Sequence, residues 1–290
     1  VVFLIVMLIK AYAKVNLFLE VVARRDDGYH DLVTILQTVS LYDTLELLPQ
    51  PEDIILTCNL PKLPTDDRNL AYHAARLLKE KTGTKQGISI HLQKNIPIGA
   101  GLGGGSSDAA AVLLGCNQLW NCNLSYSDLA QIAMQLGMDV PFFLRGGTAL
   151  ALGRGERIVQ QLLTPSLWLI IVYPRFPVQT ASVYNNLDIR FVMKAKEPTL
   201  LLSALETGEV NNIADSLFNR LESAAFTLHP QLPAIKKKLV DAGCLSALLS
   251  GSGSAVFGIA RSKEEAQLIA RKLSSETKYW IQSVSTIPQD

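Results

Sequence analysis

Residues 95–110 read Asn-Ile-Pro-Ile-Gly-Ala-Gly-Leu-Gly-Gly-Gly-Ser-Ser-Asp-Ala-Ala, and this stretch constrains the chain more than any other. Five glycines, Gly99, Gly101, Gly103, Gly104 and Gly105, fall within seven positions. Glycine admits positive φ and lets another atom approach where a Cβ would stand. Successive N–H groups can then turn inward around an anion. The alanine- and leucine-rich run Ser106–Trp120 predicts a helix, whose first N–H groups and dipole add to that attraction. The stretch Pro97, Gly99, Ala100, Gly101, Leu102, Gly103, Gly104, Gly105, Ser106 and Ser107 is therefore expected to cradle a nucleotide phosphate. A flexible linker is the plain alternative. A linker would not run straight into so strong a helix, and Pro97 stiffens the other side.

Two familiar phosphate loops do not fit. A Walker loop ends in Gly-Lys-Ser/Thr, and no lysine stands here. A dinucleotide GxGxxG is literally present as Gly99, Gly101 and Gly104, but it needs a strand running straight into the first glycine and an acid about 20 residues on at a strand end. Here Lys94-Asn-Ile-Pro-Ile intervenes, and Asp128 falls early in an expected helix.

The phosphate site must be local design, because the net charge of the 290-residue chain is only +1. That balance argues against nucleic acid as a partner. Cys58, Cys116, Cys122 and Cys244 have no CxxC spacing and read as free thiols of a reducing, cytoplasmic setting rather than as a metal site or disulfide framework. The apolar run Val1–Ile9 is short of the roughly 20 residues that span a bilayer. It lacks the flanks of a signal peptide, so it predicts a buried first strand and no membrane partner.

Strand and helix patterns alternate without a strict βαβ rhythm. Val15, Leu17, Leu19 and Val21 share one face of a strand, with Asn16 and Glu20 on the other, and the turn Arg24–Gly28 ends it. A strand at Leu45–Leu48, a helix over 69–82 stopped by Gly83, a strand at Ile88–Leu92 and a helix between Ser125 and Gly137 follow. The pattern changes near 150–165. Beyond it come a strand at Leu167–Tyr173, helices across 199–207, 211–227 and 231–242, and a strand–glycine turn–strand at Leu245–Ile259. A helix at 263–273 and a strand at 279–285 close the chain. The fold class expected is α+β in two lobes, residues 1–160 and 161–290.

Pro97-x-x-x-Gly101-Leu-Gly-Gly-Gly-Ser-Ser107 resembles the central motif of the kinase superfamily named for galactokinase, homoserine kinase, mevalonate kinase and phosphomevalonate kinase. Ala13-Lys14-Val15-Asn16-Leu17 resembles its N-terminal motif, Gly137-Met-Asp139-Val-Pro141 its catalytic segment, and Gly251-Ser-Gly253-Ser-Ala255 its C-terminal glycine motif. Asp27-Gly28-Tyr29-His30, followed by Gln37, is similar to the branch acting on 4-diphosphocytidyl-2-C-methyl-D-erythritol. The matches run in family order over almost the whole chain. The resemblance implies ATP-dependent phosphorylation of that substrate's 2-hydroxyl, in the non-mevalonate route to isoprenoid precursors. It also implies an N-terminal lobe like ribosomal protein S5 domain 2, a ferredoxin-like C-terminal lobe, and a cleft between them for substrate and ATP.

Asp139 is then the candidate base, accepting or orienting the hydroxyl proton, and Lys14 its cationic partner. Read by themselves, Asp139 is a helix cap before Pro141 and Lys14 a solvated strand charge; the resemblance reverses both. Asn16, two residues from Lys14, shares its strand face and is expected to meet the substrate polyol. Tyr29 and His30 are expected to stack on and hydrogen-bond the cytosine, with Tyr184 across it and Thr180 on a substrate hydroxyl. Lys94 and Asn69 match places that approach ATP in relatives, though surface or capping roles suit them equally. No dedicated carboxylate for a metal stands near the loop, so Mg2+ is expected to arrive with ATP, held by phosphates, water and the Ser106 and Ser107 hydroxyls. The oligomer is left as monomer or homodimer. Three rivals remain: a superfamily kinase for another small alcohol, an NAD-dependent oxidoreductase reading Gly99–Gly104 as its fingerprint, and a non-catalytic nucleotide-binding module.

Overall fold

The computed structural model describes residues 6–187 and 195–288. They form two compact units interleaved in sequence: Val1–Ala13, Leu41–Ile96 and Gly103–Arg145 in the first, Lys14–Ser40, Pro97–Leu102 and Gly146–Asp290 in the second. The long strands β1 (Met7–Arg24) and β2 (His30–Gln50) each run through both.

In the first unit, the C-terminal half of β2 pairs antiparallel with β4 (Gly87–Gln93), and β3 (Ile54–Cys58) lies parallel to β4. Helix α1 (Leu70–Thr82) packs on α2 (Gly104–Leu119), with α3 (Tyr126–Leu136) and the short α4 (Val140–Phe143) beside them. Leu45, Leu47, Ile88, Ile90, Leu92, Leu78, Val112 and Leu113 form the core, each fully buried. Such burial contributes about 1.5–3 kcal/mol per large aliphatic side chain.

The helix ends follow local chemistry. Asn69 accepts from the Ala71 N–H to cap α1, and Gly83 ends it in the left-handed region at φ 69°. Ser125 and Asp128 form a reciprocal capping box on α3. Helix α2 begins at Gly104, two residues before the expected Ser106, because Gly103 turns the chain at φ 72° and the first helical turn needs no internal N–H partner.

In the second unit, the N-terminal half of β2 pairs with β5 (Thr148–Gly153), and β5 with β6 (Arg157–Leu162). A register shift between Leu150 and Ala151 breaks the period-two pattern there, which is why the sequence shows no clean alternation across 150–165. Next come β7 (Trp168–Tyr173), α5 (Thr180–Asn185), α6 (Thr199–Thr207), α7 (Val210–Asp215), β8 (Phe218–Asn219), α8 (Glu222–Leu228), α9 (Leu232–Asp241), β9 (Ser246–Leu249), β10 (Val256–Ala260), α10 (Lys263–Glu276) and β11 (Trp280–Ser285). Strands β7, β9, β10 and β11 make a four-stranded antiparallel sheet in the order β11-β7-β10-β9. Helical segments fall between β7 and β9 and between β10 and β11. That is the β-α-β-β-α-β order of a ferredoxin-like unit, as expected.

Two expectations are corrected, the helix over 211–227 and the buried start of the first strand, and one polar strand face proves to be buried. The helix expected over 211–227 is broken by β8, because Phe218 and Asn219 pair in parallel with Phe18 and Leu19 of β1. The polar face of β1 is not solvated: Asn16 is 3% and Glu20 0% exposed. Glu20 lies there because Arg220 donates to both its oxygens at 2.8 Å and the Lys196 N–H donates at 2.7 Å, so the buried charge is paired. Of the apolar run 1–9, residues 1–5 lie outside the described residues; the start of β1 alternates, with Leu8 64% exposed, rather than being buried throughout. All four cysteines are free. Among the described residues no helix is long and apolar enough to cross a membrane.

Candidate active site

The candidate residues fall into two groups, one in each unit. In the first unit the centre is the start of α2. Its first internal hydrogen bond is Ser107 N–H to Gly103 C=O at 2.9 Å. The N–H groups of Gly104, Gly105 and Ser106 therefore precede the helical ladder at the positive end of a 16-residue helix. Gly105 is exposed, Ser106 half-buried and Ser107 buried.

Beneath that turn lies an ion cluster that motif reading missed. Lys94 Nζ donates to Asp43 Oδ2 and, at 2.7 Å, to Asp108 Oδ2. Asp43 Oδ1 also takes the N–H groups of Asn95 and Ile96, fixing the segment that leads into the glycine loop. A Cβ on Gly104 would stand 3.1 Å from Lys94 Nζ, so the ammonium lies directly under the first residue of α2. Burial, helped by the Asp43 charge and opposed by Lys94, pushes the Asp108 carboxyl up to about 7. Burial also opposes the charge on Lys94, but the Asp108 and Asp43 carboxylates outweigh it and hold its pKa above the ordinary lysine value. One signal was legible: Asp108 is the only charged residue in α2.

Asn69 is engaged at the start of α1, donating to Pro64 C=O at 2.9 Å besides capping the helix. Gly137 lies against the α2 terminus, where its Cβ would be 3.9 Å from Ser106 Oγ. Two residues on, half-buried Asp139 occupies the N-cap position of α4, yet its side chain makes no capping bond. The capping explanation for that carboxylate does not hold.

In the second unit, the loop Pro97–Leu102 is held by its carbonyls. Gly99 C=O accepts from Val178 N–H, Ala100 C=O from Ala255 N–H and Leu102 C=O from Lys14 N–H, at 2.9–3.0 Å. Gly101 C=O accepts from both Lys14 Nζ at 3.0 Å and Ser250 Oγ at 2.9 Å. A Cβ on Gly101, at φ 79°, would stand 2.1 Å from the Ser250 carbonyl oxygen, so only glycine fits. Ala100 and Leu102 are each 1% exposed, which leaves them only backbone to offer a ligand.

Lys14 is 4% exposed, not a solvated strand charge, and it donates to Asn16 Oδ1 at 2.8 Å. Asn16 Nδ2 in turn donates to Thr34 Oγ1 at 2.9 Å. The lysine and asparagine expected to share a face thus do so. Thr180 Oγ1 lies 2.9 Å from Ser252 Oγ, in the C-terminal glycine motif. The His30 and Tyr184 rings meet at 5.1 Å with a 32° tilt. Burial, with Arg24 nearby, lowers the imidazole pKa, and among the described residues His30 Nε2 has no hydrogen-bond partner. Tyr29 is 51% exposed beneath the Arg154 guanidinium, 5.0 Å from the ring centre. Gln37 turns out to be structural: its amide donates to Thr38 C=O and Ile287 C=O and accepts from Thr148 Oγ1.

A glycine-rich helix start with a buried lysine beneath it is the kind of arrangement on which a small-molecule kinase can be built. Residues 69–147 match the model described as GHMP kinases N terminal domain, and residues 201–278 the model described as GHMP kinases C terminal. The chain belongs to the GHMP kinase family. It is 44% identical over 268 residues to the 4-diphosphocytidyl-2-C-methyl-D-erythritol kinase of Caldicellulosiruptor saccharolyticus, covering 92% of each chain. Its identity to the protein of the same name from Bacillus cereus is 44% over 254 residues, 87% of this chain and 88% of the relative. A crystal structure of 4-(cytidine 5'-diphospho)-2C-methyl-D-erythritol kinase superposes with TM-score 0.81 at 38% identity, over 96% of this chain and 99% of the other. A kinase of this family uses ATP.

Proposed function

We propose that this chain transfers the γ-phosphoryl group of ATP to the 2-hydroxyl of 4-diphosphocytidyl-2-C-methyl-D-erythritol, in the non-mevalonate route to isoprenoid precursors. The observation that carries this reading is the near full-length likeness to kinases named for that substrate. The backbone N–H groups of Gly99–Ser107 hold the ATP phosphates, with Pro97, Ala100 and Leu102 setting the loop's shape and Lys94, paired with Asp43 and Asp108, anchoring the helix start beneath the nucleotide. Asn69 borders the nucleotide. The Ser106 and Ser107 hydroxyls are hard oxygen donors, which fits Mg2+ delivered with ATP and held mostly by phosphate and water.

Phosphoryl transfer asks for alignment and charge more than covalent chemistry. The 2-hydroxyl oxygen bonds to the γ-phosphorus as the bond to the ADP oxygen breaks, and Asp139 takes the hydroxyl proton. Lys14 stabilises the charge on the transferring oxygens, and Asn16 orients the polyol. Tyr29, His30 and Tyr184 hold the cytosine, the unpartnered His30 Nε2 being suited to its polar edge, and Thr180 binds a substrate hydroxyl. Residues 1–160 serve as the ATP-binding lobe and 161–290 as the substrate-side lobe, and the enzyme works in the cytoplasm.

Radiolabelled ATP offered with the cytidyl substrate, homoserine or mevalonate tests the reading. Label should pass to the cytidyl substrate; transfer to another alcohol instead refutes it. A thermal shift with NAD and none with ATP would favour the oxidoreductase.

A further inference from the structure

We propose that Asn219 is a positioning residue for Lys14, acting through the turn Leu249–Gly251; the role rests on the reading of Lys14 as part of the kinase site. Asn219 is 4% exposed and ends β8, opposite Leu19 of β1. Its Nδ2 donates to Leu249 C=O at 2.8 Å and to Gly251 C=O at 2.7 Å, while Oδ1 accepts from Leu221 N–H at 2.9 Å. Both amide hydrogens and the oxygen are thus committed, so the side chain has one orientation.

The two carbonyls it grips flank Ser250. Gripping them turns Ser250 toward the glycine loop, where its hydroxyl donates to Gly101 C=O. Lys14 Nζ donates to the same carbonyl oxygen. Gly251 forms the adjoining wall: a Cβ there would stand 3.5 Å from Lys14 Nζ and 3.4 Å from Asn16 Oδ1. The turn is also tied from α8, where Glu222 Oε1 accepts from Leu249 N–H at 3.0 Å and Lys236 neutralises Glu222. The seat of Lys14 is therefore built from one strand of the chain and held by a turn that Asn219 fixes. The break in the expected helix 211–227 is what brings Asn219 to this place.

Removing the amide leaves two buried carbonyls without their donor and lets the turn shift. A shift of about 1 Å at a reacting group costs as much as 100-fold in rate. In Asn219→Ala, kcat with the cytidyl substrate is expected to fall about 10- to 100-fold, with KM for ATP within about threefold. A second readout does not depend on turnover. Trace acetylation of the whole protein with acetic anhydride, followed by peptide mass spectrometry, compares Lys14 with buried Lys94 and exposed Lys62. Lys14 and Lys94 should both react at least about tenfold more slowly than Lys62 in the wild type. In Asn219→Ala, Lys14 should speed up while Lys94 stays protected. Unchanged Lys14 labelling, Lys14 and Lys94 rising together, or unchanged kcat in an active enzyme overturns the proposal. If Asn219→Ala does not fold, Asn219→Asp carries the same test, because it keeps the bond to Leu221 N–H and loses the donors. Wild-type turnover on the substrate panel judges the kinase reading separately, and the labelling judges Asn219.

Discussion

Lys94 Nζ lies 2.7 Å from Asp108 Oδ2, with neither side chain more than 4% exposed. A buried charge pair stabilises little by itself, but breaking one costs about 3–5 kcal/mol because the remaining charge is stranded. Here the pair, with Asp43, anchors both the entry to the glycine loop and the first turn of α2. On the proposed reading it serves to place the phosphate cradle.

Asp108 gives this cluster a pH signature. Its pKa stands at about 7 in the fold against an ordinary value of 3.8, chiefly through burial. The folded state then binds more protons than the unfolded state between those two values. Stability from this group is complete below the ordinary carboxylate range and is lost as pH rises through about 7. Asp108→Asn should remove that slope. Chemical unfolding at pH 5 and pH 8 should show the wild type losing, relative to the variant, on the order of a few kcal/mol.

Two glycines of one motif should behave in opposite ways. At Gly101 a methyl meets the rigid Ser250 carbonyl at 2.1 Å in a left-handed backbone. Gly101→Ala should cost about 3 kcal/mol or more. At Gly105 the nearest atom is Leu70 Cδ1 at 3.7 Å, and the residue is helical. Gly105→Ala should hold or raise the melting temperature, by up to about 1 kcal/mol of helix propensity, while its methyl at the phosphate face raises KM for ATP. Melting curves and ATP kinetics for both variants check this.

Asp139→Ala should abolish turnover, a loss of about 100-fold or more. Cytidine binding by calorimetry should be nearly intact. Retained turnover would remove Asp139 from the chemistry.

Tyr184→Ala should raise KM for the cytidyl substrate without changing KM for ATP, since its ring meets His30. An aromatic contact of this kind contributes about 1 kcal/mol, or roughly a fivefold change. Equal changes in both constants would contradict a cytosine role.

The parts legible in the sequence were those with local causes. Asn69 and Gly83 bracket α1 because capping is decided within a turn of chain. The glycine loop and the Lys14–Asn16 face were readable because positive φ and strand alternation are local too. What escaped is set by partners far along the chain. Nothing near Phe218-Asn219 announces that β1 will pair with it. Nothing near Glu20 announces its ion-pair partner Arg220, which lies 200 residues away. Asp43 meets Lys94 across 51 residues, and Ser250 reaches Gly101 across 149. These are the contacts that seat the motif residues.

Phosphoryl transfer to one hydroxyl of one substrate leaves a distinct phosphorus signal. Phosphorus NMR of wild-type enzyme incubated with ATP, Mg2+ and 4-diphosphocytidyl-2-C-methyl-D-erythritol tests it most directly. A new phosphomonoester signal on the 2-position of the methylerythritol is expected, growing in equal amount with ADP while the cytidine diphosphate signals persist. Inorganic phosphate as the only product, a phosphomonoester at another position, or no consumption of ATP would contradict it.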